Sequence, residues 1–222
     1  MQRVDAQFYT GSPQQVAQRL LGQLLVRKLA NGTRLSGIVV EVEAYLSSHD
    51  AASHSFKGPR KSNASMFGAA GTLYVYPIHS RHCLNVVTEP AKRGSAVLIR
   101  AVEPVEGLQT MARLRGMPNW GVGTVGSYTQ WLRRLTSGPG RLCQALNVTR
   151  ELDAIDLCQS EHMWFEPAPI ALKAFLVRTT GRIGLSQARD LQLRLFIDGQ
   201  QMVSGCARDH SRGRTWRFLD RR

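Results

Sequence analysis

The stretch GIVVEVEAYLSSHDAASHS, residues 37–55, alternates apolar and polar side chains with the two-residue period of a β-strand. In an extended chain Val40, Val42 and Ala44 line one face, while Glu41, Glu43 and Tyr45 line the other. The first face suits a core. The second gathers two carboxylates and a phenol, with His49, Asp50 and His54 following closely. Such a face is either the solvated side of an edge strand or one wall of a chemical site. Spacing alone does not choose between Glu41 and Glu43 as a reactive carboxylate.

Outward from this strand, Ser12, Pro13 and Gln15 form an N-cap, first-turn proline and capping-box partner, and Val16, Leu20 and Leu24 recur at helical spacing. They predict a helix over residues 13–26. After an Asn31-Gly32 turn, strands are expected at residues 35–46, 72–78 and 95–102. Between the first two lies a loop at 55–71, in which Lys57, Arg60 and Lys61 could meet phosphates. A helix is expected from Glu106 to Arg115, then an irregular insertion over residues 116–132. Ser137-Gly138-Pro139-Gly140 opens a further helix through Leu146, whose free N–H groups could hold a phosphate. Leu191, Leu193, Leu195 and Ile197 alternate with Gln192, Arg194 and Phe196 up to Asp198-Gly199, a hairpin signal.

Helices and strands mix without regular alternation, which argues against a doubly wound parallel sheet. The expected architecture is α+β: one domain over residues 1–222, built around a curved, largely antiparallel sheet with surrounding helices.

A formal net charge of +13 implies attraction to polyanions, to nucleic acid before membrane. No Asp or Glu falls between Glu106 and Glu151, whereas Arg113, Arg115, Arg133, Arg134, Arg141 and Arg150 all do. A basic tail, residues 208–222, closes the chain. Both read as surface for a phosphate backbone. Cys83, Cys143, Cys158 and Cys206 form no CxxC pair, so neither a zinc ribbon nor a redox motif is expected, and the thiols are expected to be reduced. The N-terminus lacks a signal-peptide pattern, and no run approaches the roughly 20 apolar residues of a membrane span. A soluble, intracellular protein is expected, in which the Asn147-Val148-Thr149 sequon carries no glycan.

In GTLYVYPIHSRHCLNVV, residues 71–87, Tyr74 and Tyr76 share one strand face, where aromatic rings could stack on bases at roughly 1–3 kcal/mol each. His79, His82 and Cys83 lack a clear fourth ligand, so no metal site is expected.

The runs EVEAYL (41–46), AASHS (51–55), MFGAAGTLYVY (66–76), CLNVV (83–87), VLIRAVEPVEG (97–107) and SGPGRLCQAL (137–146) together resemble the alkyladenine (3-methyladenine) DNA glycosylase family, in that family's order. The resemblance implies a monofunctional enzyme that flips damaged purines out of double-stranded DNA and hydrolyses the glycosidic bond, leaving an abasic site. Its substrates would include 3-methyladenine, 7-methylguanine, hypoxanthine and ethenoadenine. It further implies a monomer without cofactor, associated with DNA in a nucleoid or nucleus. By the same resemblance Glu43 is the general base toward water, and Arg100 and the backbone near Ile183 help place that water. Tyr45 and Tyr76 would stack on the flipped base, His54 would donate to it or to its sugar-phosphate, and Asn85 would reject the amino group of guanine.

His79 stands where the family commonly carries a tyrosine that wedges into the minor groove, in a hairpin here one residue shorter. Either His79 or Arg81 would take that part. Two other classes share these features. One is a DNA-binding protein of this fold without catalysis; the other is a carbohydrate hydrolase using Glu41 and Glu43, which as neighbours on one strand face poorly fit two carboxylates flanking a sugar.

Overall fold

The structure, a computed structural model, describes residues 3–121, 126–167 and 175–205. The basic tail at 208–222 lies outside the described residues, as do residues 122–125 of the expected insertion. The long strand of the opening stretch runs Arg34–Tyr45 and is the spine of a curled eight-stranded antiparallel sheet. The strands are β1 (Leu24–Lys28), β2 (Arg34–Tyr45), β3 (Leu73–Ile78), β4 (Arg81–Val87), β5 (Ala96–Glu106), β6 (Met163–Glu166), β7 (Val177–Thr180) and β8 (Arg194–Ile197). Among the described residues the α-helices around them are α1 (Ala6–Tyr9), α2 (Pro13–Leu20), α3 (Leu108–Leu114), α4 (Tyr128–Thr136) and α5 (Pro139–Ala145).

The strand order is β3-β4-β5-β2-β1-β6, and β8 joins β2 beyond the end of β1 while pairing with β7 on its other side. β2 is therefore bonded along both edges: β5 on one, β1 and then β8 on the other. This overturns the edge-strand alternative. Val39, Val40, Val42 and Ala44 enter the main core, yet Glu41 and Glu43 on the opposite face are also fully buried. The cover on that second face comes from residues 182–204, far along the chain. A register slip against β5 on either side of Glu41 marks a β-bulge, a device that re-aims side chains within a ladder.

Three sequence expectations change. The first helix ends at Leu20 rather than continuing to Val26. Gly22, at φ +82, turns the chain, and the apolar run Leu24-Leu25-Val26 is taken by β1 pairing with β2 and β6. The irregular insertion stops at Ser127, which with Gln130 makes a capping box for α4, the same signature as Ser12 with Gln15. Finally, Asp198-Gly199 does not lead into a second hairpin strand among the described residues. The chain turns there, and the backbone N–H of Ser204 reaches Glu41 instead.

That contact belongs to a buried ionic cluster. Glu41 Oε1 accepts from Arg100 Nε at 2.9 Å and from Arg194 Nε at 2.6 Å, and Oε2 accepts from the Ser204 N–H at 2.7 Å. Burial alone would raise the Glu41 carboxyl; Arg100 and Arg194 override it and hold it below the ordinary value. The cluster joins β2, β5, β8 and the segment after β8. Glu41→Ala takes the carboxylate from buried Arg194 and one of two from Arg100, and should cost about 3–5 kcal/mol in urea unfolding. Because the folded carboxyl titrates below its ordinary value of 4.5, its contribution is complete above that value. It is lost as pH falls through the lower folded one, so the parent should destabilise there and the variant should lose part of that slope.

Candidate active site

Glu43 lies two residues beyond Glu41 on the same face. Its Oε1 accepts from the Ile183 N–H at 2.7 Å and sits 3.1 Å from an Arg100 terminal nitrogen, while Oε2 accepts from the Tyr45 hydroxyl at 2.9 Å. Arg100 thus bridges both carboxylates. Burial alone would lower its pKa, but Glu43 and Glu41 raise it, so the guanidinium stays charged. Burial and then Glu43 push the Tyr45 phenol up, which keeps it a donor to the carboxylate. The two glutamates differ in what they can do. Glu41 meets two arginines and a backbone N–H, whereas one oxygen of Glu43 meets a phenol that lines a cavity.

That cavity, of about 180 Å³, is lined by Tyr45, His54, Tyr76 and Asn85, with Tyr74 and Met66 behind them. Glu43 itself is one hydrogen bond back, behind Tyr45. β3 and β4 supply one wall, the end of β2 another, and the loop after β2 carries His54. Asn63 in the loop at 55–71 is buried and ties that loop down, accepting from the Arg60 N–H at 2.6 Å and donating to the His54 carbonyl at 2.8 Å. Asn85 is buried, with its amide nitrogen donating to the Tyr74 carbonyl at 3.0 Å. The Tyr76 ring centroid lies 4.4 Å from that of His54, inclined by 64°.

Tyr74, beside Tyr76, is buried, and its hydroxyl meets His54 Nδ1 at 2.7 Å. Sequence spacing could place Tyr74 beside Tyr76 but not show this contact. Desolvation holds His54 below the ordinary histidine value although its ring is open to solvent on the cavity side, so the imidazole is neutral at neutral pH. Where the Tyr74 O–H donates in this contact, the ring proton sits on Nε2.

Asp50 and Arg182, buried beneath Tyr45, form a bidentate pair that the sequence did not point to as a pair. The signal for Arg194 was faint: a cation inside the otherwise apolar run of β8. His49 is exposed at φ +57 and takes no part. His79, His82 and Cys83 are not gathered around a common point, and no group of three or more His, Cys, Asp or Glu side chains among the described residues is placed to hold a metal.

β3 and β4 meet in a two-residue loop, His79-Ser80, with His79 exposed at φ +52. Arg81 leaves this tip sideways. A Cβ at Gly140 would lie 2.7 Å from the Arg81 Cδ, so glycine there makes room for the arginine against α5. Arg81, Arg115, Arg134 and Arg141 then line a concave surface of about 410 Å³. None of these four forms an ion pair among the described residues. Burial and then its three arginine neighbours lower the Arg115 pKa, a sign of uncompensated positive charge. The expected basic run is thus only partly a free surface: Arg133 donates to the Gln201 carbonyl, and Arg150 donates to the Val75 carbonyl and pairs with Asp153. No helix among the described residues is long and apolar enough to cross a membrane.

Comparison with known proteins adds identity to this geometry. The family model for methylpurine-DNA glycosylase matches residues 7–201. A Rhodopirellula baltica protein named as a candidate 3-methyladenine DNA glycosylase is 47% identical over 213 residues, 96% of this chain and 88% of that protein. The DNA-3-methyladenine glycosylase of Mus musculus is 41% identical over 91% of this chain, which spans 61% of the mouse protein's length. That of Homo sapiens is 39% identical over 91% of this chain and 68% of the human protein.

The His54–Tyr74 contact has a direct spectroscopic consequence. Long-range ¹⁵N–¹H spectra of the histidine rings should show His54 as a single neutral tautomer protonated on Nε2. Tyr74→Phe, which removes one buried hydroxyl and about 1 kcal/mol of stability, should turn that signal into a tautomer mixture. A parent His54 protonated on Nδ1 would show the assignment to be wrong.

Proposed function

The chain belongs to the methylpurine-DNA glycosylase family, and on that premise we propose that it removes alkylated or deaminated purines from duplex DNA in base excision repair. The observation that carries this reading is the juxtaposition of a buried carboxylate, Glu43, with an aromatic cavity it reaches through Tyr45. A base in a duplex cannot be reached at its glycosidic bond, so the nucleotide must rotate out into such a cavity. Tyr45 and Tyr76 offer π-faces to the purine, and neutral His54 presents its Nε2–H as a donor. Asn85, pinned to the Tyr74 carbonyl, is too fixed to swing away from a guanine amino group, and the clash disfavours the commonest undamaged competitor.

In the reaction the C1′–N bond of the nucleotide breaks, and water adds to C1′ as its proton passes to Glu43. Arg100 holds Glu43 in place, and the Ile183 N–H fixes one of its oxygens, leaving the oxygen shared with Tyr45 to meet the water. The family resemblance placed the backbone near Ile183 beside that water; here its N–H is spent on the base itself. Among the described residues no lysine lines the cavity to act as a Schiff-base nucleophile, and hydrolysis would end at an abasic site with no strand cleavage.

His79, at the exposed tip of the β3–β4 hairpin, is the group positioned to fill the gap left by the flipped nucleotide. Arg81, drawn against Gly140, belongs instead to the arginine-lined surface that would grip the phosphate backbone.

Glu43→Gln should reduce release of hypoxanthine or ethenoadenine from a duplex by about 10²–10⁴-fold while lesion binding persists; release at the parent rate would end the mechanism. His79→Ala should weaken capture of lesion-containing duplex by about tenfold and spare undamaged DNA. By contrast, Arg81→Ala should weaken both alike and lower the salt dependence of binding by about one ion. Titrations of the two duplexes at several salt concentrations separate these outcomes.

A further inference from the structure

Behind Tyr45, on the side away from the cavity, lies Arg182. Its guanidinium carbon is 4.5 Å from the centre of the Tyr45 ring, while its terminal nitrogens donate to Asp50 at 2.7 Å each and to the Ala44 carbonyl at 3.0 Å. Both side chains of the Arg182–Asp50 pair are fully buried. Asp50 also accepts from the backbone N–H groups of Leu46 and Ala52, so the pair is held from the β2 end and from the loop that carries His54. The residue after Arg182 provides the N–H that holds Glu43. A bidentate carboxylate meets a guanidinium edge-on, which leaves the face of the cation on the ring.

We propose that Arg182 is a specificity-determining residue that biases the pocket toward neutral damaged purines and against cationic ones. This rests on the reading of Tyr45 as a stacking face. An aromatic ring attracts a cation through the negative charge on its faces. With a guanidinium already on the rear face, the ring has less to offer a second cation in front, and the two like charges also repel across it. A neutral base such as hypoxanthine stacks by dispersion and area and loses little. A base such as 7-methylguanine, which carries positive charge as the nucleotide, loses its advantage on the Tyr45 side and keeps it only against Tyr76. Asp50 neutralises the pair as seen from a distance without displacing the cation from the ring.

The test is the ratio of single-turnover release rates for 7-methylguanine and hypoxanthine placed in the same duplex. General damage to the site slows both and leaves the ratio alone. The double variant Asp50→Asn/Arg182→Gln replaces the ion pair with an uncharged amide pair of similar hydrogen-bonding capacity. It should move the ratio toward 7-methylguanine by about three- to tenfold. Asp50→Asn alone, which leaves the guanidinium uncompensated, should move the ratio the other way, and Arg182→Lys should stay near the parent. An unmoved ratio in both of the first two variants, or shifts of the wrong sign, overturns the proposal. Tyr45→Leu separates it from the reading beneath it: unchanged release of both bases would remove Tyr45 from the pocket, whereas slowed release with an unmoved ratio in the double variant would sink Arg182 alone.

Discussion

The placement of Arg100 between two buried carboxylates is the constraint on which the rest depends. Two glutamates on one strand face, both withdrawn from water, repel each other and would each favour protonation unless cations were brought to them. Arg100 from the neighbouring β5 meets both, and Arg194 from β8 completes the balance at Glu41. The consequence is a division of labour within a single strand. Glu41 ties β2 to β5, β8 and the segment after β8, while Glu43 is oriented by Arg100 and the Ile183 N–H with its other oxygen on Tyr45.

The same arrangement explains why the C-terminal third of the chain folds back over β2. Ser204 gives its N–H to Glu41, Ile183 gives its N–H to Glu43, and Arg182 closes on Asp50. These contacts turn what would be a wet sheet face into an interior in which electrostatic interactions are strong. Removal of this cover would return both carboxylates to water and dissolve the back wall of the cavity. The site is therefore a product of closure between distant segments, and the aromatic pocket is the part of that closure still open to the outside.

Around it, the protein separates gripping from reading. The uncompensated arginines beside α3, α4 and α5 face outward without carboxylate partners, a surface that attracts any phosphate backbone. Among the described residues the cavity is lined by no cation; it presents ring faces, one imidazole and a fixed amide. The hairpin carrying His79 connects the two, since Arg81 in the same hairpin packs against Gly140 and lines the basic surface.

Much of this was legible in the chain because it is local. The alternation of residues 37–45 identified a strand with Glu43 and Tyr45 on one face, the capping residues marked the start of α2, and the ordered runs from Glu41 to Leu146 pointed to the family and its pocket residues. Periodicity, however, carries no information about which strand lies beside which or what covers a face. It could not tell Glu41 from Glu43, move Leu24 from a helix into β1, or show that Tyr74 serves His54. The sequence by itself determined the strand, its face and the chemistry available on it, since those follow from backbone geometry within a few residues. Only the tertiary structure decided that this face is buried, that Arg100 is shared, and that Arg182 lies behind Tyr45. Those facts depend on segments distant in the sequence meeting to neutralise charge that water can no longer solvate.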